Sequence, residues 1–150
     1  MEFKPTDEGY DARVRESFAR QPFMNLIHAK LEKISPGFCE ISLPFSVDIS
    51  QQHGYFHAGV IGTIADNVAG YASYSLMKST SSILTVEFKL NLLSPADGDL
   101  LIGQGQVLKY GRTLTICRSD IFIEKNGVRK LCAASQSTLI ELPNTIDTNS

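Results

Sequence analysis

The sequence predicts an α+β fold, in which one curved antiparallel sheet wraps around a single long central helix. Three observations predict it. His57–Met77 (HAGVIGTIADNVAGYASYSLM) is too long and too rich in alanine for a strand, so it reads as a helix with one acid, Asp66, inside it. Four alternating runs of about ten residues follow, longer than ordinary strands. The linkers between these runs are short (SPADGD, YGR and NG), and Asn-Gly between alternating runs is a strong hairpin signal. Long antiparallel strands joined by short turns, beside one uncharged helix, make a sheet that buries its apolar face on that helix.

In chain order, Met1–Glu8 is expected to be a loose tail, and Tyr10–Ala19 (YDARVRESFA) a short helix charged on one side. Phe23, Met24, Ile27 and Leu31 stand at helical spacing, so a second short helix runs into a strand. Ser35–Gly37 is a turn, and FCEISLPF puts Cys39, Ile41, Leu43 and Phe45 on one face of a strand. After the central helix, SILTVEFKLNLL sets Leu84, Val86, Phe88, Leu90 and Leu92 against Ile83, Thr85, Glu87, Lys89 and Asn91. LLIGQGQVLK, TLTICRSDIFIEK and VRKLCAASQSTLIEL then complete a four-strand meander. Residues 143–150 have the composition of a frayed tail. The whole of 1–150 is expected to be one domain.

A formal charge of −2 and a pI near 5.9 give no general pull toward nucleic acid or anionic membranes. No apolar run reaches the length of a membrane span, and the acidic, polar start is unlike a secretion signal, so the expected location is cytoplasmic. Cys39, Cys117 and Cys132 stand in no metal or redox spacing and read as reduced, buried thiols.

Placed at about 100° per residue, Val60, Ile64, Val68, Tyr71 and Ala72 fall on one side of the central helix, with Ile61 and Ala65 beside them. The other side collects Gly59, Gly62, Thr63, Asp66, Gly70 and Ser73. A solvent face would carry lysines and glutamates; this one carries small residues, so it is expected to be covered closely as well. A carboxylate there needs partners or a function, and two readings stand open for Asp66: a packing hydrogen-bond acceptor or an active-site acid. His57 opens the helix ahead of Ala58 and Gly59, whose amides lack intrahelical acceptors and suit a polarised carbonyl oxygen. His53 and His57 are four apart, but no third ligand stands at a telling distance and no metal is expected.

QQHGYFHAGVIGTIADNVAGYASYSL, followed by LTVEFKLNLLSPADGD and YGRTLTICRSDIF, resembles the PaaI-like branch of hotdog-fold acyl-CoA thioesterases over roughly residues 23–142. The resemblance implies the hotdog fold and hydrolysis of an acyl-CoA thioester, with CoA arriving as part of the substrate and no separate cofactor. It implies Asp66 as nucleophile or general base, nine residues after His57, and the Ala58 N–H as the donor that polarises the thioester carbonyl. Ala58 stands where the family has the first glycine of a pair, and Gly59 is the second. His57 and Gln51 would position substrate, Gln51 standing where the family has asparagine. Thr85 matches the Ser/Thr that orients water or the carboxylate, although alternation puts it on the polar face of its strand, so a bulge or a second subunit must bring it to the site. Arg112, in YGRTLT, matches a basic position near the CoA phosphates. The resemblance further implies a homodimer with shared active sites, often paired into a homotetramer.

Two other readings compete. A hotdog hydratase or dehydratase also pairs a histidine with an acid, but HGYFHAG lacks the proline of that branch's motif. A non-catalytic acyl-CoA-binding domain would keep the pocket without the chemistry.

Overall fold

The computed structural model describes residues 2–146; Met1 and the end of the tail expected from Pro143 lie outside the described residues. Two short helices, α1 (Tyr10–Ala19) and α2 (Pro22–Leu26), lead into a hairpin of β1 (Lys30–Ser35) and β2 (Phe38–Pro44). The central helix α3 (Ala58–Tyr74) follows, then β3 (Ser82–Leu92), β4 (Leu100–Tyr110), β5 (Leu114–Lys125) and β6 (Val128–Leu142). All six strands form one antiparallel sheet in the order β1-β2-β4-β5-β6-β3.

That order corrects the expected four-strand meander. Of the four strands after α3, only β4, β5 and β6 follow one another in the sheet; β3 pairs with β6 at the far edge. The ladder makes β2 and β3 parallel, which requires a crossover, and α3 is that crossover. SPADGD is therefore not a hairpin turn. It lies in the segment that carries the chain back across the sheet, fixed as it passes by Leu93 N–H to Cys132 O (2.8 Å) and Phe56 N–H to Ala96 O (3.1 Å).

The apolar side of α3 sinks into the sheet as its spacing requires: Ile64, Ala65, Val68 and Ala72 are fully buried with Cys39, Ile41, Leu43, Leu101 and Ile121. Glycines on β4 let the backbones meet. A Cβ at Gly105 would stand 2.3 Å from the Val68 carbonyl oxygen, and one at Gly103 2.5 Å from Ile64 Cγ2. The Ser119 hydroxyl on β5 donates to Ala65 O at 2.8 Å, which pins the helix one residue before Asp66. The helix closes three residues earlier than expected, at Tyr74. Arg13 of α1 caps that end, donating to Met77 O (2.7 Å) and Lys78 O (3.2 Å) with its guanidinium over the Tyr74 ring.

The amino-terminal residues, expected to be loose, are engaged: Phe3 packs against Gly37, and Thr6 donates to Leu76 O at 2.7 Å. Phe45, placed by alternation on the inner face of β2, falls just beyond the strand and meets Phe56 edge-on at 5.3 Å. The three thiols are free and buried as expected.

Candidate active site

His57 is the N-cap of α3, extended at φ −65°, ψ 139°, and its Nδ1 accepts from the Gly59 N–H at 2.9 Å. The Val60 and Ile61 amides both bond to His57 O. Among the described residues this leaves the Ala58 N–H as the first-turn amide with no acceptor, on an exposed helix end carrying the positive pole of the helix dipole. With Nδ1 accepting, the neutral imidazole carries its N–H on Nε2, on an exposed side chain. Gly59, expected to bind substrate, has its amide engaged by His57; what it contributes is room.

Two turns along, Asp66 is half-buried and its Oδ1 accepts from the Thr85 hydroxyl at 2.7 Å. The device that brings Thr85 there is a β-bulge. Thr85 pairs with Leu139 and Glu87 with Thr138, so Val86 is an extra residue between consecutive partners on β6. Leu139 is buried on the helix side, and Thr85 shares that face. After the bulge the register resumes, with Phe88 opposite Ser137 and both Phe88 and Leu90 close to Gly62 of α3.

Asp66 and Thr85 share a cavity of about 610 Å³ between α3, β3 and the α1–α2 corner. Its wall toward that corner is a polar network that the sequence did not reveal. Gln21 Nε2 donates to the Tyr71 hydroxyl (2.6 Å) and to Asn67 Oδ1 (3.1 Å), while Ser17 Oγ lies 3.2 Å from the same phenol. Asn67 completes its bonding to Thr63 O at 3.2 Å. The expected close covering of the small-residue side of α3 is met only in part: Gly62 and Ser73 are buried, whereas Gly59 is exposed and Thr63, Asp66 and Gly70 are half-buried.

Gln51 and Arg112 stand apart from this cluster. The Gln51 side-chain oxygen accepts from the His53 N–H and its backbone closes the loop to Tyr55, so it shapes the turn that delivers His57. Arg112 lies on the β4–β5 turn, in a separate cavity of about 490 Å³ with Lys78, Tyr110 and Glu141. The cysteines offer no nucleophile: burial pushes the Cys117 thiol up to about 12, Cys132 up to about 11, and Cys39 higher still.

Residues 53–130 match the sequence model of the Thioesterase superfamily, a stretch containing His57, Asp66, Thr85 and Arg112. The chain belongs to the thioesterase superfamily. A solved thioesterase family protein from Silicibacter pomeroyi is 40% identical, with a TM-score of 0.89, covering 90% of this chain and 99% of that one. The PaaI protein of the E. coli phenylacetic acid degradation operon is 16% identical with a TM-score of 0.80, covering 91% and 96%. That likeness shows the hotdog fold alone. A protein of Saccharolobus solfataricus named as an esterase is 23% identical over 90 residues, 60% of this chain and 64% of the relative's length. The superfamily is named for thioester hydrolysis. No helix among the described residues is long and apolar enough to cross a membrane.

Proposed function

We propose that the chain is a cytoplasmic acyl-CoA thioesterase, a homodimer in which each active site takes Asp66 and Thr85 from one protomer and the amino end of α3 from the other. The observation that carries the reading is the Thr85–Asp66 hydrogen bond across the β3 bulge, which holds a carboxylate at the wall of a cavity large enough for an acyl group.

Ala58 and Asp66 are eight residues apart on one helix, roughly 12 Å along its axis, whereas reacting groups must sit about 3 Å from one carbonyl centre. A second copy with its α3 antiparallel supplies the missing end. The edge supports this pairing: Leu84, Val86, Leu92 and Leu93, on and just after β3, are each more than half exposed. A long apolar edge strand is a template for pairing with another chain.

In the joint site the Ala58 N–H of one protomer donates to the thioester carbonyl oxygen, with His57 Nε2–H beside it as a positioning donor. In the other protomer Thr85 occupies Oδ1 of Asp66 in the same chain, and Oδ2 takes a proton from water as the water oxygen adds to the carbonyl carbon. The C–S bond then breaks as Asp66 returns that proton to the departing sulfur, so CoA leaves as its thiol and the free acid is the other product. Arg112 is assigned to the CoA phosphates, and no metal or redox cofactor takes part.

Thiol release followed with DTNB across a panel of acyl-CoAs tests the reaction, and the native cysteines are too buried to contribute to the signal. Wild type should release CoA, and Asp66→Asn should lose about two orders of magnitude or more in kcat while folding normally. Near-wild-type turnover by the folded variant would end the catalytic reading of Asp66. Conversion of the acyl chain without thiol release would give the site to a hydratase.

A further inference from the structure

The glycine at position 70 lies inside a regular helix, where glycine is among the poorest residues for stability. Close packing does not explain it: a Cβ built there meets nothing within 4 Å. The contrast with its neighbours is sharp, since a Cβ at Gly62 would touch Leu90 and Phe88 and one at Gly59 would stand 3.0 Å from His57 Nδ1. The open space over Gly70 is the Asp66 cavity, and Gly70 is one turn beyond Asp66 on the same helix face.

From Gly70 the cavity continues past Tyr71 to Tyr74, and from Asp66 to Tyr74 is roughly 12 Å along the axis. Its far side is closed by the α1–α2 corner, where Gln21 bolts Pro22 and α2 to α3 through Tyr71 and Asn67. Ile83 of β3, on the same face as Thr85, adds an apolar contact.

We infer that this cavity is the acyl pocket, that Gly70 sets its bore, that the Gln21 bonds to Tyr71 and Asn67 hold the corner that closes it, and that it selects acyl groups of medium length over palmitoyl-length chains. A medium-length chain fills the span from Asp66 to Tyr74, and a sixteen-carbon chain overruns it into the closed corner. This inference rests on the thioesterase reading for the direction in which the substrate lies.

The test compares acetyl-, octanoyl- and palmitoyl-CoA as substrates, with the non-hydrolysable thioethers S-ethyl-CoA and S-octyl-CoA as ligands. Gly70→Leu should lower kcat/KM for octanoyl-CoA at least tenfold more than for acetyl-CoA and weaken S-octyl-CoA more than S-ethyl-CoA. Its melting temperature should not fall, and the milder Gly70→Ala should move the same ratio in the same direction. Gln21→Ala should raise the palmitoyl-to-octanoyl ratio of kcat/KM by several-fold. Equal losses on all chain lengths, or an unchanged ratio in Gln21→Ala, would overturn the assignment. So would a changed oligomeric state in Gly70→Leu, which would make the glycine an approach point for a second copy. Chain-length discrimination between the thioethers without any thiol release by wild type would uphold the pocket and refute the proposed reaction.

Discussion

Thr85 shows how one hydroxyl ties the chemistry to the fold. It donates to Asp66 at 2.7 Å, and a hydrogen bond to a charged group is worth about 1.5–3 kcal/mol. Thr85→Val keeps the shape and removes the donor, so kcat should fall about ten- to hundredfold, while Thr85→Ser should keep most of it. Steady-state thiol release on the two variants checks this; equal activity in both would leave the hydroxyl without a role. The helix start at His57 and Ala58 and the place of Asp66 on α3 were legible in the sequence because they are local properties, whereas Thr85 came from the family resemblance and needed the bulge to reach Asp66. Gln21 and Tyr71 were not, since their bond joins segments fifty residues apart, and no spacing rule reports a contact made by the packing of α2 on α3. Gln51 differs again: an amide beside a tight turn can bond to its own loop, and here its side-chain oxygen does so.

At the scale of elements, the strands and helices follow the hydrophobic periods closely, and the departures lie in their pairing. Alternation identified β3 as a strand but could not assign its partner, because a period of two is the same against β4 or β6. The bulge was required by the chemistry rather than visible in the pattern, and its position at Val86 yields a prediction. Deleting Val86 makes Thr85↔Leu139 and Glu87↔Thr138 consecutive pairs, so the ladder becomes regular while Thr85 stays on the helix side. The deletion variant should remain folded by circular dichroism and keep kcat within about tenfold of wild type; a loss as large as that of Thr85→Val would show that the pairing with Leu139 alone does not place Thr85. On the outer face of the sheet, Glu40 is buried between Gln104 Nε2 (2.6 Å) and Lys33 Nζ (3.2 Å). Burial opposes its ionisation, but the Gln104 and Lys33 contacts outweigh it and hold the carboxyl below its usual 4.5. A lowered native value means that the stabilisation is complete above the unfolded-state value and is lost as pH falls through the native one. Glu40→Gln should therefore lower the melting temperature at neutral pH and narrow its gap to wild type below pH of about 4. A gap that stays constant across that range would remove Glu40 from the acid response.

For the whole molecule, the central claim is that no single chain holds a complete site: α3 separates Ala58 from Asp66, and the apolar β3 edge offers the place for a second copy. Complementation tests it most directly. Ala58→Pro removes the polarising N–H at the first position of α3, where proline is tolerated, and His57 already has the extended backbone that a following proline requires. Asp66→Ala removes the carboxylate from the other half of the site. Each variant alone should be nearly inactive. Refolded together, about half of the dimers are mixed, and each mixed dimer has one site built from its two unmutated halves. Thiol release by the mixture should return to roughly a quarter of the wild-type rate. A mixture shown to exchange subunits, yet as inactive as its parents, would contradict the account and place the whole site within one chain.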